Sequence, residues 1–410
     1  MVGSRCLVPL LVAGCLLVPS AGAVEMSGRI SSSLYGWERS DNNYWRGYIG
    51  FNSNTTFWRE GRARSLSFHN NLRWTGNLAT SESGIPQTYV YDVYLRLSGY
   101  PSGSTFYLGR QFAYNTLGSS LIDGLRANVR VHRTVDLDLF GGSTALHEKP
   151  EKIQNFSDYG TLGGRIEYHR SQSFRVALNW LQQKSYGSVS RHLVGVDAWK
   201  ELRKCEFYGR VSYDLLNSDL AGALARAIVR PDKWCLSAEL DWRKPSVDGN
   251  TVFSLIDADP YKGMRTEITR VIRRDLRLLG QFHVERVGGD NAWRTLLGLR
   301  TTRFMLGWIH RAGYGGESDG VQGQININVR PNLELYGTAF LSRYFIQPES
   351  PDKIDAYSSS AGLLWRPGSA IQIRTEGQYL RDAVDKNDVR LFVQIVKAFD
   401  LKPAKSEAGK

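Results

Sequence analysis

Cysteine, histidine and long apolar runs are all scarce in this chain of 410 residues. It has 4 cysteines and 7 histidines. Two of the cysteines, Cys6 and Cys15, fall in the N-terminal leader, so a disulfide-stapled small domain is excluded. A hydrophobic share of 42% excludes a wholly disordered chain, and 41 glycines are far too few for a collagen. After the leader no segment approaches the ~18–20 apolar residues of a membrane-spanning helix. Mean hydropathy is −0.33. A helical membrane protein is therefore excluded. A β-barrel is not, because its alternating strands average out in any hydropathy window.

Catalytic and cofactor signatures are missing too. There is no Walker loop, dinucleotide fingerprint, HExxH or Cys-x-x-Cys-His. Cys205 and Cys235 open segments one whole strand apart. At a strand spacing of ~4.8 Å they stand roughly 10 Å from each other, beyond the ~7 Å reach of a disulfide, and both read as free thiols. His69, His169 and His283 lie on scattered segments without metal-ligand spacing and read as wall residues. The sequence predicts no enzyme, no metal and no cofactor.

Residues 1–23 read as a signal peptide: Arg5, then a mostly apolar Cys6–Pro19, then the cleavage site Ala21-Gly22-Ala23. Val12-Ala13-Gly14-Cys15 offers a rival, lipoprotein-type cut. The mature chain is expected to start at Val24. The whole chain has a formal net charge of +12, one unit of it from Arg5.

Strict alternation dominates the rest of the chain. Val321 to Val329 puts apolar residues and glycine on one face and amides on the other. Trp234, Leu236, Ala238, Leu240 and Trp242 face away from Cys235, Ser237, Glu239, Asp241 and Arg243. Leu276 to Glu285, Tyr89 to Ser98, Phe174 to Leu181 and Ile371 to Leu380 repeat the pattern. Period-2 segments of about ten residues match the ~9–11 that a tilted strand needs to cross a bilayer. Up to 22 segments occur between Gly28 and Phe399. Those near 221–230 and 263–272 are ambiguous in phase and could amount to one pair fewer; the expectation is about 22 strands, within a range of 16–22.

Every second connection is tight, as at Pro101-Ser102-Gly103, Arg133-Thr134, Arg203-Lys204 and Arg330-Pro331-Asn332. The others are longer on average, as at 78–87, 145–158, 244–262 and 345–354. This is the layout of an all-β, single, antiparallel up-and-down transmembrane barrel over 24–399, with short periplasmic turns and longer extracellular loops. An even strand number puts both termini in the periplasm. Residues 400–410 read as a disordered periplasmic tail.

Aromatic residues near strand ends (Trp37, Tyr44, Trp45, Phe57, Trp58, Trp74, Tyr89, Trp234, Trp242, Trp293, Trp365) suggest interfacial girdles. The tight turns are basic: Arg133, Arg203, Lys204, Lys233, Arg273, Arg274, Arg303, Arg330, Arg366. The longer loops are acidic: Asp41, Glu82, Glu148, Glu151, Asp248, Asp257, Asp259, Asp290, Glu317, Asp319, Glu349, Asp352, Asp355, Asp382, Asp385, Asp388. Basic turns suit anionic lipid or an acidic partner, and acidic loops suit divalent cations shared with lipopolysaccharide.

Extending the alternation turns Arg73, Arg96, Arg165, Arg175, Arg210, Arg243, Arg277, Arg294, Arg300, Arg374 and Arg390 into the lumen. Inward acids are Asp92, Asp136, Asp138, Glu167, Asp214, Glu239, Asp241, Glu285, Glu334 and Glu376. Arginine outnumbers lysine 38 to 14. Its planar fork suits bidentate pairing along the wall, and an excess of it favours anions.

The segment Val389 to Phe399 resembles the C-terminal assembly strand of Gram-negative outer-membrane proteins. That resemblance implies export to the outer membrane and handling by the barrel-assembly machinery. Leu108-Gly109-Arg110-Gln111 and Ile122-Asp123-Gly124-Leu125-Arg126 resemble segments of porin-like and alginate-export-like barrels. A barrel of ~22 strands without a plug would leak. Either the count is lower, or short loops and arginines narrow the mouth, or another protein fills it. The last option resembles porin–cytochrome conduits, in which a barrel sheathes a multihaem cytochrome. The expectation is a passive, anion-preferring channel for ions or small polar solutes, with the sheath as the alternative.

Overall fold

The structure, a computed structural model, describes residues 25–39, 42–61, 63–78, 87–100, 103–146, 148–244, 259–314, 316–345, 353–382 and 387–401. The expected signal peptide, the tail from residue 402, and Asp41, Glu82, Asp248, Asp257, Glu349, Asp352 and Asp385 lie outside the described residues.

Twenty-two strands make one sheet. In chain order they are β1 (Glu25–Arg39), β2 (Asn42–Glu60), β3 (Arg64–Asn77), β4 (Gln87–Ser98), β5 (Thr105–Asn115), β6 (Gly118–His132), β7 (Val135–Thr144), β8 (Gly160–Ser171), β9 (Phe174–Ser185), β10 (Ser188–Leu202) and β11 (Cys205–Asp214). The second half comprises β12 (Asp219–Val229), β13 (Trp234–Arg243), β14 (Tyr261–Val271), β15 (Arg277–Val287), β16 (Asp290–Arg300), β17 (Phe304–Gly313), β18 (Ser318–Arg330), β19 (Leu333–Tyr344), β20 (Ile354–Gly368), β21 (Ile371–Arg381) and β22 (Asp388–Leu401). The single helix among the described residues is α1 (Phe156–Tyr159). Both segments of ambiguous phase are strands, β12 and β14. The first strand begins three residues before Gly28, and the last runs two residues past Phe399.

Each strand pairs antiparallel with the next, and β22 returns to β1 from Met26↔Leu401 to Trp37↔Arg390. Closure leaves no free edge, so the ladder satisfies the strand backbone within the sheet. That is the condition for a sheet to sit in hydrocarbon.

The two faces differ sharply. Leu240 is 56% exposed, Leu297 52%, Leu306 54% and Leu341 54%. Held in water, such a surface would cost about 25 cal/mol for every Å². Against lipid chains it costs nothing. The alternate positions, such as Glu239, Asp241, Arg243, Gln281, His283 and Arg294, line a common recess. The apolar face is therefore the lipid side and the charged face the lumen.

Not every aromatic expected at the interface is there. Arg73 lines the lumen and stands directly opposite Tyr89. Tyr35 and Tyr48 line it too, and Trp37 and Tyr44 follow them in phase, stacked at 5.3 Å. Trp37, Tyr44 and Tyr89 thus belong to the lumen face. Phe57, Trp58, Trp234, Trp293 and Trp365 are exposed.

The two ends also differ less in loop length than the averages suggest. At the tight-turn end, 133–134, 203–204 and 331–332 each join two strands. At the other end 145–159 is long and carries α1, yet 116–117, 186–187 and 288–289 are equally short. Tyr186 and Gly187 both have positive φ, 51° and 81°. That is the geometry of a primed two-residue hairpin turn, whose twist matches that of the strands.

Candidate functional site: the lumen wall

One hairpin leaves the wall. The tip of β5–β6 meets β9, β10 and β11, although β7 and β8 stand between. Asn115 Nδ2 donates to the Trp180 carbonyl at 3.0 Å. The Thr116 hydroxyl donates to Asp197 at 3.0 Å, and Arg210 donates to the Thr116 carbonyl at 3.0 Å. Ala113, Leu117, Ile122, Phe140, Leu181 and Leu193 form a buried apolar cluster around these bonds. Contacts that skip two strands run through the lumen, so the tip narrows the bore.

The bend has a local cause. Gly109, Gly124 and Gly142 stand opposite one another on β5, β6 and β7. Gly109 has φ 125°, and a Cβ on Gly124 would strike the Gly141 carbonyl. Only glycine lets the three backbones come this close. Beside them Arg110 and Asp123 form a two-bonded pair, both bonds 2.7 Å long. The side chains are 5% and 10% exposed. The Arg110 guanidinium also donates to the carbonyls of Pro150 and of Lys152, on the long 145–159 connection. Such added bonds offset the desolvation of a buried ion pair.

Most of the arginines expected to face inward do so in company. Arg165 meets Glu167 at 2.7 Å and Asp197 at 2.8 Å. Arg374 meets Glu376 at 2.7 Å and donates to the Tyr336 hydroxyl. Arg243 meets Asp241 at 2.7 Å. Arg73 lies over Tyr48, Arg96 over Tyr107 and Arg175 over Trp199. Arg277 and Arg300 face each other across β15 and β16. Arg390 pairs with Asp388.

The acids are engaged likewise. Asp92 accepts from Asn71, Glu334 from Asn326, and Asp138 from Arg126. Asp136 lies 3.6 Å from His169, and His69 stacks on Tyr94. Asp214 is committed to its own turn, accepting from Leu216 N–H at 2.9 Å and from the Asn217 amide at 2.8 Å. Burial explains this: at 6% exposure its oxygens need fixed donors.

A second region lacks such company. Arg265, His283, Arg294 and Arg311 stand directly opposite one another on β14, β15, β16 and β17. Glu239 faces Arg265 on the β13 side, and Glu267 lies 3.9 Å from the same guanidinium. Among the described residues neither Arg294 nor Arg311 has a carboxylate within ion-pair distance, and the Arg294 Nε is buried without a hydrogen-bond partner. Glu285, which borders the same recess as both arginines, accepts a 2.8 Å bond from Tyr314. That bond pushes the phenol of Tyr314, which lies beyond the end of β17, above its ordinary pKa. Arg126, Asp197, Arg265 and Arg311 were not picked out from the sequence, although their alternation points inward as well.

One cluster of metal-ligand types lies outside the lumen. His310, Glu317 and Asp319 bring their ligand atoms within 4.8 Å of one another. His310 Nδ1 donates to the Asp319 carboxylate at 2.8 Å, and the ring packs against Trp293 and Trp308 on the lipid side. That bond accounts for the pair.

A closed barrel with an apolar outer face and a charged, partly narrowed lumen defines a transmembrane β-barrel of porin-like architecture. No family model and no curated protein matches the sequence. Solved structures do match. Pseudomonas aeruginosa OccK2 (OpdF) is 8% identical, with a TM-score of 0.47, covering 93% of this chain and 100% of its own. Acinetobacter baumannii OccAB3 is 8% identical at a TM-score of 0.45, covering 92% and 99%. Pseudomonas aeruginosa OccD3 (OpdP) is 10% identical at 0.46, covering 93% of each.

Proposed function

We propose that this protein is an outer-membrane channel for passive diffusion of ions and small polar solutes, anions preferred, with no catalytic chemistry of its own. The inward residues from Arg73 to Arg374 and from Asp92 to Glu376 line its path. One observation carries the reading: a water-accessible lumen is narrowed by the chain's own β5–β6 tip and keeps a guanidinium pair without counter-charge. The first feature supports a bore that needs no foreign occupant. The second supports the sign of the preference, since fixed, unpaired charge favours the opposite mobile ion.

The alternative, a sheath around a multihaem cytochrome, draws no support from this lumen. The folded-in hairpin takes up space that an occupant would need. Tight turns carrying Arg203, Arg273, Arg274 and Arg303 suit a periplasmic placement facing anionic lipid. Both termini and the tight turns lie at that end in this reading, with lipopolysaccharide and the assembly machinery as partners.

The test is single-channel recording of the purified protein in a planar bilayer under a potassium chloride gradient. Discrete steps with a reversal potential of anion-selective sign are expected. Very large, unselective steps would overturn the reading and favour the sheath.

A further inference from the structure

The outer wall carries one arrangement that neither the lumen nor contact with lipid explains. His310 on β17 stands directly opposite Asp319 on β18, and Glu317 sits in the connection that joins these strands. The ligand atoms of the three lie within 4.8 Å of one another. The 2.8 Å bond accounts for His310 and Asp319. It does not account for Glu317, whose carboxylate approaches a second carboxylate. Like charges at that spacing repel. No nearby cation neutralises them. Arg343 stands opposite Asp319 on β19, yet its guanidinium donates to Asp355 at 2.7 and 3.2 Å. Among the described residues no cationic side chain pairs with Glu317.

The three residues are held from independent directions. Trp293 and Trp308 pack against the imidazole, with ring centroids 4.6 and 5.7 Å away. The His310 side chain is 16% exposed and that of Asp319 54%, so the carboxylate side is the open one. The Glu317 carbonyl accepts from Phe345 N–H at 3.1 Å, which fixes its backbone against the next connection. Nδ1 is the imidazole edge turned toward the acids. With the ring proton on Nε2, the Nδ1 lone pair points at them. One imidazole nitrogen and two carboxylate oxygens suit a borderline divalent ion such as zinc, whereas calcium and magnesium take oxygen ligands. Around a tetrahedral zinc ion with bonds of ~2.1 Å, ligand atoms stand roughly 3.4 Å apart. Rotation of the exposed Glu317 side chain closes the remaining gap. Water takes the fourth position.

We propose that His310, Glu317 and Asp319 form a zinc site on the outer face at the loop end of β17 and β18, where the ion ties the connection to both strands. The site lies outside the lumen and stands apart from the channel reading.

The experiment is equilibrium dialysis of zinc against the folded, untagged protein in detergent micelles, with calcium as competitor. A calcium excess of about tenfold should leave the zinc in place, since the imidazole favours the borderline ion. Glu317→Gln keeps the His310–Asp319 bond and should still weaken zinc binding by at least about tenfold, the lower end of what even outer-shell changes cost. His310→Ala should abolish binding at this site. Copper(II), which such ligands hold more tightly than zinc, should quench the fluorescence of the adjacent Trp293 and Trp308. Glu317→Gln should lose that quenching. The remaining histidines and the two thiols are common to all variants, so differences between variants report this site. Heat-modifiable gel mobility confirms folding, and should His310→Ala not fold, Glu317→Gln alone decides. Zinc affinity unchanged by Glu317→Gln would overturn the proposal. Displacement by calcium would also overturn it and leave a plain acidic patch. A protein that conducts as expected but holds no zinc here would lose the site and keep the channel.

Discussion

Arg110 and Asp123 hold opposite charges where almost no water reaches, and each answers the other through two bonds. Truncating one partner strands the other. We predict that Asp123→Ala costs about 3–5 kcal/mol, the usual penalty for breaking a buried pair. Replacing both residues by apolar ones of similar volume should recover most of it. Urea titration of heat-modifiable mobility reads both numbers; equal losses for the single and double variants would contradict the account. The two stretches that carry this pair stand out in the sequence through their likeness to other barrels. Their mutual pairing does not. Arg110 lies on the opposite alternation phase from Gly109 and Gln111, so period-2 reading assigns it to lipid. Its true surroundings come from Pro150 and Lys152, some forty residues on, and no local pattern reports them. Asp214 shows the same limit in reverse. Its phase is inward, yet a turn two residues away claims both its oxygens.

At the scale of elements, the strand count follows from alternation because that signal is local and repeats with every pair. Even β12 and β14, whose phase is blurred by runs such as Ala223 to Ile228, hold their places because closure demands them. The inward bend of β5–β6 is another matter. A bent hairpin alternates just as a straight one does, and glycines in register become visible only once the pairing is known. The tip is held by Leu117 in its apolar cluster and by Thr116 between Asp197 and Arg210. Leu117→Ala should remove about 2–5 kcal/mol of packing, enough to loosen a tip tied otherwise by hydrogen bonds to Trp180, Gln183, Asp197 and Arg210. The expected result is a larger single-channel step with unchanged far-ultraviolet circular dichroism. An unchanged step would mean that the hairpin does not set the bore.

At the scale of the whole molecule, the question is which charges the passing ion meets. Four lumen arginines, Arg126, Arg165, Arg243 and Arg374, are neutralised by Asp138, Glu167, Asp197, Asp241 or Glu376 at 2.5–2.8 Å. A net basic composition therefore does not translate into a uniformly positive pore, and this is why composition alone overstates the case for anions. The positive charge left without an acid sits at a few places: Arg294 facing Arg311, Arg277 facing Arg300, and Arg73, Arg96 and Arg175 laid on aromatic rings, with Arg265 only loosely matched. A local field of this kind is screened once the Debye length falls below the bore radius. That length is roughly 10 Å at 0.1 M salt and 3 Å at 1 M. Anion preference should therefore be strong in dilute potassium chloride and fade toward neutrality near molar salt. Arg294→Gln/Arg311→Gln should move the dilute-salt reversal potential part of the way to the molar-salt value, because these two charges contribute to both effects. Removing Arg165 acts by another route, since it uncovers Glu167 and Asp197 and adds a cation-attracting pair to the wall. A channel whose preference survived molar salt, or ignored the Arg294 and Arg311 changes, would have to select by the width at the β5–β6 tip rather than by charge.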